Sequence, residues 1–151
     1  MTKIFVAKTA APATKAVLRQ ATALKPQRKK ASDGLLPSVA HMKQNPSSDH
    51  NTGFAVDLTH DPVTGFDGHE VYEKLKSDKR VKYLIFMGKI WTPDKGDQKY
   101  NGINQHNHHV HISIKPTCGE DTSPWFPWLG KPTTINKVKA ALKPAPKKEN
   151  K

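Results

Sequence analysis

The spacing of the histidines is the feature that most constrains this chain. Four of its eight histidines, His106, His108, His109 and His111, fall within six residues. The segment His108–Ile114 alternates between polar and apolar residues and predicts a β-strand, so that His109 and His111 share one face and His108 lies on the other. Two imidazoles on one face of a strand can place one nitrogen on a metal ion and the second beside it. Strand alternation alone allows either histidine to be the ligand.

A second group of chemically active residues lies earlier in the chain. His50 stands in a polar stretch, and Asp57 follows seven residues later inside the apolar segment 54–58 (FAVDL). A carboxylate among apolar neighbours is costly to bury unless it is paired or binds a cation. Gly53 allows the backbone to turn between the two. Catalytic zinc sites use three protein ligands of these types and leave a fourth position for water. His50, Asp57 and one later histidine are therefore a candidate zinc site.

These motifs resemble those of the LAS group of metallopeptidases, which includes lysostaphin-type enzymes, D-Ala-D-Ala metallopeptidases and the hedgehog signalling domain. The order His-x6-Asp followed by His-x-His is the signature of the group. The SxHxxGxAxD pattern at Ser48–Asp57 looks like the D-Ala-D-Ala carboxypeptidase branch, which is common in phage endolysins. The segment His106–His111 is similar to the HxxHxH motif of penicillin-insensitive murein endopeptidases. The resemblance covers roughly residues 32–114.

The resemblance implies a role for each residue of the two motifs. It makes His50, Asp57 and His111 the zinc ligands and His109 the leading general base or transition-state stabiliser, with His106 assisting. Many relatives in the carboxypeptidase branch carry a glutamate base three residues before the last zinc histidine. That place is His108 here, so we expect His109 to act as the base, alone or together with His106. An imidazole with a pKa near 6.5 can do this at neutral pH.

Two residues are candidates for substrate binding. Arg28 lies where relatives carry an arginine that binds a substrate carboxylate, a task that suits the guanidinium fork. Its position in the basic run Lys25–Lys30 also favours a solvated side chain. Ser48 is expected close to the metal site, and a turn-capping role fits it equally well.

The implied activity is zinc-dependent hydrolysis of peptide bonds in bacterial peptidoglycan. Endopeptidases and D,D-carboxypeptidases need the same zinc centre, so the motifs do not separate them. Two other classes stay open: a non-catalytic zinc-binding module, as in the hedgehog domain, and a basic nucleic-acid-binding protein. The imidazoles of His106 and His109 beside His111 argue against a purely structural site, which needs no spare histidines.

The charge of the chain allows several partners. The net charge is +12, and much of the excess lies in Lys25–Lys30 and in residues 137–151. Basic runs are typical of solvated chain ends, but such a field also attracts polyanions and the anionic bacterial envelope. We expect peptidoglycan as the partner, no specific nucleic acid, and a monomer. The single Cys118 excludes an internal disulfide and a zinc site built from several thiolates.

Targeting signals are weak. No apolar run approaches the roughly 18 residues that span a bilayer. The apolar patch Ile4–Val6 is shorter than the core of a signal peptide, about 7–15 residues. We therefore expect synthesis in the cytoplasm without a signal peptide and action in the periplasm or cell wall.

Hydrophobic periodicity and turn residues predict one α+β domain over residues 1–142 and a disordered basic tail over 143–151. We expect a small, mainly antiparallel sheet that carries the zinc site and is flanked by two or three helices. The predicted helices are Pro12–Leu24, Gly68–Ser77 and Thr134–Leu142, the predicted strands are 54–58, 81–87, 89–92 and 108–114, and residues 93–105 are predicted to be a loop.

Overall fold

A computed structural model describes residues 9–36, 48–102 and 105–130 of the chain. These residues form an α+β fold with two α-helices and one antiparallel sheet of five strands, which confirms the predicted class. The elements are α1 (Pro12–Leu24), β1 (Ala55–Thr59), α2 (Gly68–Leu75), β2 (Val81–Phe86), β3 (Lys89–Thr92), β4 (Gly96–Lys99) and β5 (His109–Ile114). The sheet order is β1-β5-β2-β3-β4. The helix predicted over Thr134–Leu142 and the tail 143–151 lie outside the described residues.

Strand β5 lies between β1 and β2 and separates the apolar core from the polar face of the sheet. Its residues Val110, Ile112 and Ile114 are fully buried and belong to the hydrophobic core. The alternate residues His109 and His111 point to the opposite face, as the strand alternation predicted. In the antiparallel register with β1, Asp57 is the direct partner of His111. The register therefore places two predicted ligands side by side.

Helix α1 covers the core side of β1 and anchors the loop that carries His50. Pro12 begins the helix, where the missing N–H costs nothing. The hydroxyl of Thr14 donates to the carbonyl of Gly53 at 2.7 Å. Gly53 has a φ of 82°, and a Cβ there would lie 3.0 Å from the Cα of Ala10, so only glycine fits. The predicted boundaries of this helix are confirmed.

Helix α2 packs against β2 and β5. Asp67 begins it as the N-cap, its side chain accepting from the backbone N–H of His69 at 2.9 Å. The side chains of Val71, Tyr72 and Leu75 form its buried face. The helix ends at Leu75, two residues before the predicted end. Neither of the described helices combines the length and the apolar character that crossing a membrane requires.

The prediction of a loop over residues 93–105 is wrong in part, because Gly96–Lys99 forms the edge strand β4. Its sequence is polar and does not alternate, so pairing with β3 and contacts to α2 hold it in place. The hydroxyl of Tyr72 donates to Asp97 Oδ1 at 2.7 Å, and Lys76 Nζ donates to Asp97 Oδ2 at 2.9 Å. Long-range contacts therefore decide the conformation of this segment.

The turn between β2 and β3 supports the segment that enters β5. Met87 and Gly88 both have positive φ, 50° and 76°, as a two-residue hairpin turn of type I′ requires. Their backbone N–H groups donate to the carbonyls of His106 at 3.1 Å and Gln105 at 2.9 Å. The hairpin tip thus fixes the backbone of His106 near the start of β5.

Candidate metal centre

Three side chains converge on the polar face of the sheet. The Nε2 of His50 and the Nδ1 of His111 each lie 3.2 Å from Oδ1 of Asp57. These three residues, here named the inner cluster, can hold a metal ion. Tetrahedral zinc with bonds of about 2.0–2.1 Å places its ligand atoms roughly 3.3 Å apart, close to the observed separations. The structure therefore brings together the three residues predicted as ligands.

The orientation of His50 is fixed by the backbone. Its Nδ1 donates to the carbonyl of Leu35 at 2.8 Å. A carbonyl only accepts, so Nδ1 carries a proton and Nε2 of the neutral ring presents a lone pair to Asp57. Lone pairs on two facing atoms repel each other unless a cation lies between them. The cluster therefore requires either a proton on His50 or a bound metal ion.

His111 is held from two sides. Its Nε2 lies 2.8 Å from the hydroxyl of Ser113, and Tyr83 stacks on its ring with 5.4 Å between the centroids and 12° between the planes. Ser113 is able to accept from Nε2–H, which leaves Nδ1 as the ligand atom. Metal-binding histidines typically use their second nitrogen in this way, because the hydrogen bond fixes the tautomer and the ring.

The electrostatics of the inner cluster favour positive charge. Burial raises the pKa of Asp57, but the interactions with the adjacent imidazoles of His111 and His50 outweigh burial and hold that pKa well below its usual range. Burial lowers the pKa of His50, yet the hydrogen bond and the charge of Asp57 raise it above its ordinary value. A divalent cation supplies the same positive charge, and its binding would displace the proton from His50.

His109 and His106 lie beside the inner cluster. The Nε2 of His109 is 3.5 Å from Oδ2 of Asp57. Burial lowers the pKa of His109, the charges of His111 and His50 lower it further, and Asp57 acts in the opposite direction. The ring is therefore neutral at pH 7 and can accept a proton. The ring centroid of His106 lies 4.8 Å from that of His109. The structure thus places both predicted catalytic histidines next to the predicted ligands.

His108 differs from its neighbours. Its side chain is exposed, it precedes β5, and its carbonyl accepts from the backbone N–H of His60 at 2.9 Å. The prediction that His108 points away from His109 and His111 is consistent with this placement.

Arg28 corrects an expectation from the sequence. The residue is only 2% exposed, so it is not a solvated member of its basic run. Its two terminal nitrogens donate to the carboxylate of Asp33 at 3.0 and 2.8 Å, and one also donates to Thr22 at 2.9 Å. Asp33 in turn accepts from the backbone N–H of Thr59 in β1 at 2.9 Å. The guanidinium fork is engaged by Asp33, and contact between Arg28 and a substrate carboxylate stays a prediction.

Ser48 lies in the loop that carries the candidate ligand His50. Its hydroxyl accepts from the backbone N–H of His50 at 3.2 Å, which is the turn-capping role considered above. Contact between Ser48 and a substrate stays a prediction.

A second group of ligand types lies just after the end of β1 and at the start of α2. His60, Asp67 and His69, here named the outer cluster, also bring three candidate atoms within 4.8 Å of one another. However, Nδ1 of His60 accepts from the backbone N–H of Gly68 at 2.8 Å. In the neutral ring the proton is then on Nε2, so neither nitrogen offers a lone pair to a metal ion. Asp67 is occupied as the N-cap of α2.

Sequence reasoning missed the residues that support the ligands. Ser113 follows His111 by two positions and shares its face of β5, so strand alternation was a usable signal. The carbonyl of Leu35 and the ring of Tyr83 have no local signal, because they reach the site through the tertiary fold. Comparison with known proteins yields no matching family model, no matching curated protein and no matching solved structure.

Proposed function

We propose that the chain is a zinc-dependent peptidase that hydrolyses peptide bonds in bacterial peptidoglycan. The observation that carries the proposal is the convergence of His50 Nε2, His111 Nδ1 and Asp57 Oδ1 beside the neutral imidazole of His109. A metal centre with an adjacent proton acceptor is what hydrolysis of an amide requires. The substrate class rests on the resemblance of the two motifs to the LAS metallopeptidases.

Within this proposal, each residue has a distinct task. His50, Asp57 and His111 would hold the ion. The hydrogen bonds of His50 to Leu35 and of His111 to Ser113 keep the second nitrogen of each imidazole directed at it. Bound zinc supplies a nucleophile at neutral pH by lowering the pKa of water, and it polarises the scissile carbonyl.

The proton transfer falls to the neighbouring histidines. His109 would accept the proton of the attacking water and deliver it to the leaving amine, because its lowered pKa keeps the ring neutral beforehand. His106 lies close enough to share this work. The net charge of +12 would speed encounter with the anionic envelope, an effect that salt weakens.

The direct test is digestion of purified peptidoglycan. We expect the zinc-loaded protein to release muropeptides, the chelator-treated protein to release none, and added zinc to restore release. Mass spectrometry of the products identifies the bond, which separates an endopeptidase from a D,D-carboxypeptidase. Undiminished release after complete removal of metal would reject the proposal.

A pair of variants tests the assignment of the base. His109→Ala should keep the bound zinc and lose the activity, whereas His108→Ala, at the adjacent exposed position, should keep both. Full activity in His109→Ala would transfer the role of base to another residue, with His106 as the first candidate. Metal content and circular dichroism establish that both variants are loaded and folded.

The two other functional classes give different results in the same assays. A non-catalytic zinc module would retain zinc and hydrolyse no peptidoglycan from any source. A nucleic-acid-binding protein would bind arbitrary DNA with a strong salt dependence, and a chelator would not change that binding.

A further inference from the structure

The carboxylate of Asp57 has two oxygens, and they face different histidines. Oδ1 lies between His50 and His111, at 3.2 Å from a nitrogen of each. Oδ2 lies 3.5 Å from Nε2 of His109. That nitrogen is buried and makes no hydrogen bond to any described residue. Asp57, His106 and His109 each offer one ligand atom, and these three atoms lie within 4.8 Å of one another.

We propose that Asp57, His106 and His109 form a second, weaker site for a divalent transition-metal ion, with Asp57 bridging it to the ion of the inner cluster. This inference rests on the metal centre of the proposed function. Two imidazoles and one carboxylate favour Zn²⁺, Co²⁺ or Ni²⁺ over Mg²⁺ or Ca²⁺, which prefer sites made only of oxygen. A shared carboxylate places paired ions about 3.5–4 Å apart.

The second site binds more weakly for electrostatic reasons. One carboxylate would serve two dications, so the second ion enters against the charge of the first. The site also has less support, since the side chain of His109 is 13% exposed, compared with 7% for His50 and 5% for His111. The inner cluster would therefore fill first.

Occupation of the second site has a chemical consequence. A metal ion on Nε2 of His109 uses the lone pair that the general base needs to accept a proton. The first ion would therefore activate hydrolysis and the second would inhibit it. The chain would respond to rising zinc with a rise and then a fall in activity.

Equilibrium dialysis against rising Zn²⁺, with metal analysis of the dialysed protein, tests the site without any substrate. The wild-type chain should bind one ion tightly and another at higher concentration. His106→Gln and His109→Gln should each keep the first ion and bind one ion fewer at saturation. The matched controls His108→Gln and His69→Gln should bind as many ions as wild type, which excludes loss of surface-bound zinc as the explanation.

X-ray absorption of the protein at saturating Zn²⁺ supplies the geometric test, with an expected Zn–Zn distance of about 3.5–4 Å. Either of two results would overturn the inference: a single ion at saturation in wild type, or an unchanged ion count in both glutamine variants. The two proposals fail separately. Two bridged ions without peptidoglycan hydrolysis would leave this site standing and reject the peptidase, whereas hydrolysis with one ion at saturation would do the reverse.

Discussion

The inner and outer clusters contain the same residue types, two histidines and one aspartate, and both bring their candidate atoms within 4.8 Å. They differ in what surrounds the rings. In the inner cluster the outward nitrogens of His50 and His111 are engaged by Leu35 and Ser113, so the inward nitrogens are directed at Asp57. In the outer cluster Nδ1 of His60 accepts from the backbone N–H of Gly68, so its lone pair is not available to a metal ion.

The comparison shows that proximity of ligand types does not define a metal site. The hydrogen bonds on the far side of each imidazole decide which nitrogen carries the proton, and hence whether the near side attracts a cation. Burial of the carboxylate also favours a cation at the inner cluster over the outer one. The side chain of Asp57 is 19% exposed and that of Asp67 is 43% exposed, so water satisfies the outer carboxylate and a cation is needed for the inner one.

The largest expected effect comes from removing the charge of the inner carboxylate. Asp57→Asn should weaken zinc binding by more than the roughly 100-fold that loss of a supporting hydrogen bond costs. The matched variant Asp67→Asn in the outer cluster should leave the affinity unchanged. Competition with a chromophoric chelator measures both. An equal loss of affinity in Asp67→Asn would break the distinction between the clusters.

The next effect concerns the buried pair of Arg28 and Asp33, which is hydrogen-bonded to Thr59 at the end of β1. Arg28→Met leaves Asp33 without its main partner and should destabilise the fold by about 3 kcal/mol, since removing one member of a buried pair is costly. Arg19→Met, at an exposed position of α1, should cost less than about 0.5 kcal/mol. Denaturant titration gives both values. Near-equal stability of the two variants would contradict a structural role for Arg28.

The pair of Arg28 and Asp33 should also make the free energy of unfolding sensitive to acid. Burial raises the pKa of Asp33, but the hydrogen bonds from Arg28 and Thr59 outweigh it and lower the folded-state pKa. The stabilisation is therefore complete above the unfolded pKa of about 3.9 and is lost as the pH falls through the folded-state value. Denaturant titrations from pH 6 down to pH 2.5 should show this loss. Asp33→Asn should flatten the profile, and an unchanged slope would count against the assignment.

A smaller change sharpens the role of the hydrogen bond to His111. Ser113→Ala removes the partner of Nε2 and frees the ring to change tautomer, so zinc affinity should fall about 10- to 100-fold. Ser77→Ala, an exposed serine after α2, is the matched control and should bind like wild type. If Ser113→Ala kept its full affinity, packing against Tyr83 alone would fix the ring.

The smallest effect belongs to the outer cluster. Asp67→Ala removes the N-cap of α2 and should cost about 1 kcal/mol of stability. The zinc content at low metal concentration should not change, because the carboxylate serves the helix. Thermal unfolding and metal analysis of the same samples test the two halves of this statement. A fall in zinc content without a change in stability would reverse the interpretation.

Local signals explain why parts of the fold could be predicted. The apolar spacing of Pro12–Leu24 and the prolines around it defined α1, and alternation defined β5 and its two faces. The spacing of His50 and Asp57 indicated two candidate ligands, because an aspartate inside an apolar strand needs a cation or a partner. The choice of His111 over His109 came from the resemblance of the motifs. These features depend on residues close together in the sequence.

Other features depend on distant contacts and could not be predicted. Strand β4 has a polar sequence and forms because β3 and α2 hold it. Arg28 stands in a basic run that suggests solvent, yet the loop folds its guanidinium onto Asp33 and the ring of Phe66, 5.3 Å away. The protonated nitrogen of His50 is set by a carbonyl fifteen residues away, which no motif encodes.

The register of β1 against β5 would give a metal ion bound at the inner cluster a part in aligning the strands during folding. Asp57 and His111 are direct cross-strand partners, so a slip of one residue would put Val56 or Leu58 opposite His111 and turn the carboxylate to the core side. Such a misaligned chain would have no complete ligand set. An ion that binds the correctly paired strands would stabilise them relative to the misaligned pairings. Metal binding during refolding would therefore favour the correct register of β1 against β5.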